Sequence, residues 1–211
     1  IVGNEEKAKM LSYVQVGYII EKSSIINPFR LSASLESQNS YHKASAELSY
    51  RYSYKGNINA LDMRLFTGIM LNDITDIPFY SLSPAGRGGR EQYLYDGTFP
   101  DRFGVFPTTF GSRQMALSEG GLVSPVNDSI GYSRWLISLS LTSSLPGIAS
   151  KIPVKPFVNI ILNDHGAGSV HKSQIFYEAG LKAGIWNFFE IYVPLIVSGN
   201  IESITGSFKD R

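Results

Sequence analysis

Cysteine is absent from the 211 residues, which excludes a disulfide framework and a thiolate-held metal but leaves the compartment open, because many envelope proteins avoid the residue. An excess of charge of one sign is missing too. With 19 Lys and Arg against 18 Asp and Glu the formal net charge is +1, and no basic run follows a phosphate backbone, so nucleic acid is excluded as a partner. The longest apolar stretch, residues 185–197, is interrupted by Asn187, Glu190 and Pro194 and falls far short of the ~20 residues of a spanning helix. A secretory leader is not legible either: Ile1-Val2-Gly3-Asn4 and Glu5-Glu6-Lys7 lack its basic start and apolar core. A start without Met and an end at Lys209-Asp210-Arg211 read as a segment of a longer protein.

What the chain has instead is aromatic residues and alternation. Tyr and Phe number 12 each while charged residues are only 18%, a combination suited to aromatic-bordered strands more than to a charged soluble surface. In 43–54, Ala44, Ala46, Leu48, Tyr50, Tyr52 and Tyr54 alternate with Lys43, Ser45, Glu47, Ser49, Arg51 and Ser53, and a strand sorts the two sets onto opposite faces. The same period returns around 14–20, 29–36, 61–71, 134–141, 154–162, 175–184 and 189–197. Eight strands are expected, each close to the roughly 9–11 residues that cross a bilayer at a tilt. Turn residues separate them at Asn27-Pro28, Gln38-Asn39-Ser40, Lys55-Gly56-Asn57, Leu145-Pro146-Gly147, Asn163-Asp164-His165-Gly166 and Trp186-Asn187, which spells an antiparallel meander.

Residues 72–131 break the period. They are rich in Gly, Pro and aromatics, with a ninth strand conceivable at 113–117. A connection of this length counts against a compact soluble domain but is ordinary among the external loops of outer-membrane barrels. Tyr80, Tyr93, Tyr95, Phe99, Phe103, Phe106 and Phe110 carry more aromatic surface than a mobile loop should expose. The segment is therefore expected to fold inward as a plug, with Arg87, Arg90 and Arg102 meeting carboxylates of the polar face. An external cap that binds a partner protein is the competing reading.

Alternation alone does not separate a membrane barrel from a lipocalin-like soluble one. The kind of polar residue does. Arg30, Glu36, Lys43, Glu47, Arg51, Asp62, Arg64, Arg134, Lys155, Glu178, Lys182 and Glu190 stand among Ser and Gly, which fits a crowded lumen where opposite charges pair. Tyr52, Tyr54 and Trp135 lie toward strand ends, where an interfacial girdle belongs.

Four phrases carry a resemblance: residues 135–141 (Trp135 to Leu141), 154–162, 177–184 (Tyr177-Glu178-Ala179-Gly180-Leu181-Lys182-Ala183-Gly184) and 189–195. Their order resembles the closing strands of BamA-type (bacterial surface antigen) barrels. That resemblance implies a barrel of about sixteen strands, with upstream domain and last strand missing here. Arg87-Gly88-Gly89-Arg90-Glu91-Gln92-Tyr93-Leu94-Tyr95-Asp96, then Phe99 and Arg102-Phe103, is similar to a loop in the C-terminal barrels of large Bacteroidota outer-membrane proteins with gluzincin aminopeptidase-like N-terminal parts. The position also resembles the sixth external loop of BamA-type barrels, though the Arg-Gly-Phe or Arg-Gly-Tyr triplet is not present. Any metallopeptidase chemistry implied by the resemblance lies upstream, since His-Glu-x-x-His does not occur.

The chain carries no catalytic motif of its own. His42, His165 and His171 are its only histidines, and the last two flank a Gly-rich stretch beside Asp164 without the further ligands a metal site needs. Gly86 to Arg90 neither follows a strand nor opens a helix, so it reads as a loop tip instead of a phosphate loop. No Ser sits in Gly-x-Ser-x-Gly. Glu47 and Glu178 read as ion-pair partners of cations such as Arg51 and Lys182. No cofactor and no metal are expected. The expectation for residues 1–211 is thus an all-β antiparallel meander, a transmembrane barrel segment of a bacterial outer membrane. Its lumen-facing polar residues would be Arg30, Glu36, Glu47, Arg51, Asp62, Arg64, Arg134, Glu178 and Lys182, and Arg87, Arg90, Tyr93, Tyr95 and Arg102 would form the plug. Its partners would be outer-membrane lipid and envelope proteins. It would anchor a larger envelope protein; a BamA-type assembly or secretion pore and a soluble ligand-binding barrel are the alternatives.

Overall fold

The computed structural model describes residues 13–38, 41–55, 59–72, 82–84, 98–100, 114–116, 119–124, 133–145, 153–167, 170–185 and 189–201. In chain order the strands are Tyr13–Lys22 (β1), Phe29–Gln38 (β2), Tyr41–Lys55 (β3), Asn59–Met70 (β4), Thr98–Pro100 (β5), Gln114–Ala116 (β6), Ser133–Ser143 (β7), Val154–Ala167 (β8), Val170–Ile185 (β9) and Phe189–Val197 (β10). All but β5 and β6 belong to one antiparallel sheet of eight strands in sequence order. The protein is all-β. The sheet does not close on itself, and β1 and β10 are its edges. The stretch expected as a ninth strand is β6, which pairs only with β5 in a separate two-stranded sheet.

Register follows the alternation. One cross-strand row reads Ile20, Leu31, Leu48, Leu65, Leu139, Ile160 and Tyr177 from β1 to β9. The neighbouring row, displaced by one residue on each strand, reads Glu21, Arg30, Ser49, Arg64, Ser140, Asn159 and Glu178. Because the side-chain period of a strand is two, these rows occupy opposite faces. Along the aliphatic face Leu48, Leu65, Ile137, Ile160, Ile175 and Leu195 are all exposed.

The core lies on the other face. Phe66, Met70, Leu136, Ile161 and Phe176 are buried at positions that share their parity with the charged residues. What covers them comes from the long connection and from the turn after β10: Leu82, Leu122 and Ile201 are fully buried in the same cluster. Burial of an aliphatic side chain of this size stabilises by roughly 1.5–3 kcal/mol. Gly68 makes the close approach possible, since a Cβ there would stand 2.7 Å from Leu82 Cδ2.

The turn expected at Asn163 to Gly166 is not one. β8 and β9 stay paired through Asn163↔Gln174, Asp164↔Ser173 and on to Ala167↔Val170. The turn-forming side chains serve the neighbouring strand instead. The Trp135 backbone N–H donates to Asp164 Oδ1 at 2.9 Å and Asn163 Nδ2 donates to Ser133 Oγ at 2.7 Å, at the place where the β7–β8 register shifts between Ser133 and Leu136. The irregular pairing strips Trp135 N–H of a ladder partner, and Asp164 replaces it. Asp164→Ala is expected to cost about 1–3 kcal/mol by leaving that donor unsatisfied, while Asp164→Asn keeps the acceptor and most of the stability. Equilibrium denaturation midpoints of the two variants check this; equal losses would mean the acceptor is not what matters.

Candidate functional site

The charged residues of the covered face are sorted by register. Lys43 stands opposite Glu36, with its Nζ 3.3 Å from Glu36 Oε2. Arg64 Nη2 donates to Glu47 Oε2 at 2.7 Å, and Arg51 is 3.8 Å from Asp62 with both side chains 41% exposed. Glu47 is therefore the partner of Arg64 on the adjacent strand, not of Arg51. Arg30 is exposed, opposite Ser49. Arg134 is half-buried in the irregular start of β7. Lys182 lies opposite Lys155 and sits 5.2 Å from the Tyr192 ring.

Glu178 differs from all of these. Its side chain is fully buried, and among the described residues it meets no cation. Its carboxylate accepts from Val123 N–H at 2.7 Å, Ser124 N–H at 2.9 Å, Ser124 Oγ at 2.6 Å and Asn159 Nδ2 at 2.6 Å. A buried carboxylate is tolerable when several donors replace its water. Asn159 is the residue opposite Glu178 in register, and it also donates to the Gly121 carbonyl at 3.2 Å. Gly121 has φ +74°, and a Cβ there would lie 3.3 Å from Arg64 Nη1. Both its left-handed backbone and its proximity to the guanidinium call for glycine.

The two returning pieces, 82–84 and 119–124, are also bonded to each other. Gly120 N–H donates to Ser83 O at 3.2 Å, Leu122 N–H to Pro84 O at 3.0 Å, and Ser83 N–H to Glu119 Oε2 at 2.5 Å. Two further ties fix this unit to the sheet, at β7 and β3: Ser133 N–H to Leu82 O at 3.0 Å, and Lys43 to Glu119 at 3.5 Å.

No family model, curated protein or solved structure matches the chain.

Its own chemistry is plain: the Glu178 carboxylate of β9 and the Asn159 amide of β8 hold a short stretch of main chain against the sheet, with the Arg64 guanidinium of β4 beside it. Arg87, Arg90, Tyr93, Tyr95 and Arg102 lie outside the described residues. Residues 82–84 and 119–124 belong to the same long segment and do lie on the charged face. Sequence reasoning passed over Asn159, Glu119 and Gly121. Their signal was slight, because an Asn, a Glu and a Gly in polar stretches have many uses. The histidine pair stays apart in register, His165 opposite Lys172 and His171 opposite Gly166. Among the described residues no three His, Cys, Asp or Glu side chains group to hold a metal ion.

Glu178→Ala leaves two main-chain N–H groups without an acceptor, at about 1–3 kcal/mol each. Hydrogen exchange at Val123 and Ser124 is expected to accelerate by at least about thirtyfold, taking 1.4 kcal/mol as a factor of ten. Glu178→Gln, which keeps one oxygen, should move it less. Unchanged exchange in Glu178→Ala would show that other contacts hold the segment.

Proposed function

We propose that this chain is a membrane-embedded part of a bacterial outer-membrane β-barrel that anchors a larger envelope protein. The observation that carries this reading is the uncovered aliphatic face. Its rows of Leu, Ile, Val and Tyr run across the sheet and are exposed, whereas the charges, the core and the returning segment share the opposite face. A water-soluble sheet would do the reverse, since a large contiguous apolar surface in water invites association. The soluble ligand-binding barrel is disfavoured on the same ground, because its interior would be the aliphatic face. Strands of 9 to 16 residues are long enough to cross a bilayer, and their inward polar face is that expected of a barrel interior.

Unpaired edges at β1 and β10 would be costly in lipid, where no water satisfies backbone groups. Further strands would close the barrel at both edges, in keeping with the resemblance to barrels of about sixteen strands. The anchoring role, with a peptidase-like domain elsewhere, rests on the likeness of the Arg87 to Asp96 stretch to the Bacteroidota proteins named above. An assembly or secretion pore of the BamA type is the second form of the same reading.

Spin labels test the orientation. In phospholipid vesicles, labels at Leu48, Leu65 and Leu139 are expected to be accessible to oxygen and shielded from a water-soluble nickel complex, while labels at Ser49 and Ser140 show the opposite. Leu48→Arg should cost about 2–4 kcal/mol if the site is near the midplane. Water-accessible labels at all three leucines, with Leu48→Arg tolerated, would refute the membrane reading.

A further inference from the structure

The row of charged and hydroxyl residues contains four consecutive donors. Arg30, Ser49, Arg64 and Ser140 stand directly opposite one another on β2, β3, β4 and β7. With Arg51 they line an open cleft of about 400 Å³ on the charged face, beside the returning segment: the Cβ position of Gly121 is within 3.4 Å of both Arg64 Nη1 and Ser140 Oγ. Adjacent strands are about 4.8 Å apart, so Arg30 and Arg64 flank Ser49 at a separation that two long side chains can span onto one group.

Donors outnumber acceptors here. A guanidinium offers five N–H groups and no acceptor. Arg64 uses Nη2 on Glu47, and among the described residues its buried Nη1 has no partner. Arg30 makes no hydrogen bond or ion pair among the described residues. Two acids stand at the cleft: Asp62 faces Arg51 at 3.8 Å, and Glu21, opposite Arg30 in register, accepts from Ser23 Oγ at 2.7 Å. A planar or tetrahedral oxyanion supplies several acceptors at once and is the group that forked guanidinium donors match best.

We propose that this cleft binds a small oxyanion, a phosphate or carboxylate group, between Arg30 and Arg64 with the hydroxyls of Ser49 and Ser140 as additional donors. The proposal concerns the charged face alone and does not depend on what meets the aliphatic one. Calorimetric titration of the purified chain in neutral detergent with inorganic phosphate, and separately with succinate, tests it at constant ionic strength. Saturable binding of at least one is expected, with affinity at least tenfold weaker in Arg30→Gln and unchanged in Lys22→Gln, an exposed residue outside the cleft. Phosphate bound in preference to succinate identifies the ligand as a phosphate group, and the reverse identifies a carboxylate. Arg30→Gln is at an exposed site, so circular dichroism matching the parent certifies that the loss is local. Lack of saturable binding to the parent chain, or equal affinity in Arg30→Gln, overturns the proposal.

Discussion

A slip of one residue between any two neighbouring strands would carry every aliphatic side chain beyond the slip to the face that holds Glu178. The rest of the structure depends on that constraint. It is enforced by the aliphatic row, which cannot enter the charged face, and on several strands by polar or charged side chains that meet a partner directly opposite. Lys43 with Glu36, Ser34 with Ser45 at 2.8 Å and Asn159 with Glu178 are directly opposite pairs. Each is modest alone, at about 0.2–1 kcal/mol for a cross-strand pair. Added to the aliphatic rows that run across the sheet, they fix the register.

The charged face could not be purely charged. A sheet with only polar residues on one side gives a returning segment nothing to bury, and Leu82 and Leu122 would then stay in water. Phe66, Leu136, Ile161 and Phe176 interrupt the polar set in the middle of the strands, beneath the place where those leucines settle. Polar atoms enclosed with them are mostly matched, and the Glu178 carboxylate is matched four times. The apolar contacts supply the favourable burial, while the hydrogen bonds decide which stretch of main chain lies there.

Strand identity and order were legible because period two over ten residues admits few alternatives. The transitions were less so. Asn163 and Asp164 look like turn residues from sequence, yet their side chains cap a neighbouring strand, and short polar groups serve either purpose. The docking place of the returning segment was written in the apolar exceptions at polar-face positions, but an isolated Phe or Leu is easily taken for noise. That Glu178 shares a face with the other charged residues was legible from its parity. Its partners were not, because they come from a distant part of the chain with no period of its own. The expected pairing with a cation failed for that reason.

The meander has one seam that is not local. Within β1 to β4, and again within β7 to β10, each strand meets the next across a short connection. Only the β4–β7 ladder joins residues separated by the long segment, and its entropy of closure is larger, though it grows only logarithmically with length. Two half-sheets can therefore form independently, each with its aliphatic face already sorted, before they meet. The Leu82–Ser133 bridge stands at the start of β7, where the long segment turns into the second half. A stretch of chain that lies across the charged face is thus also a splint at the one joint whose strands are far apart in sequence.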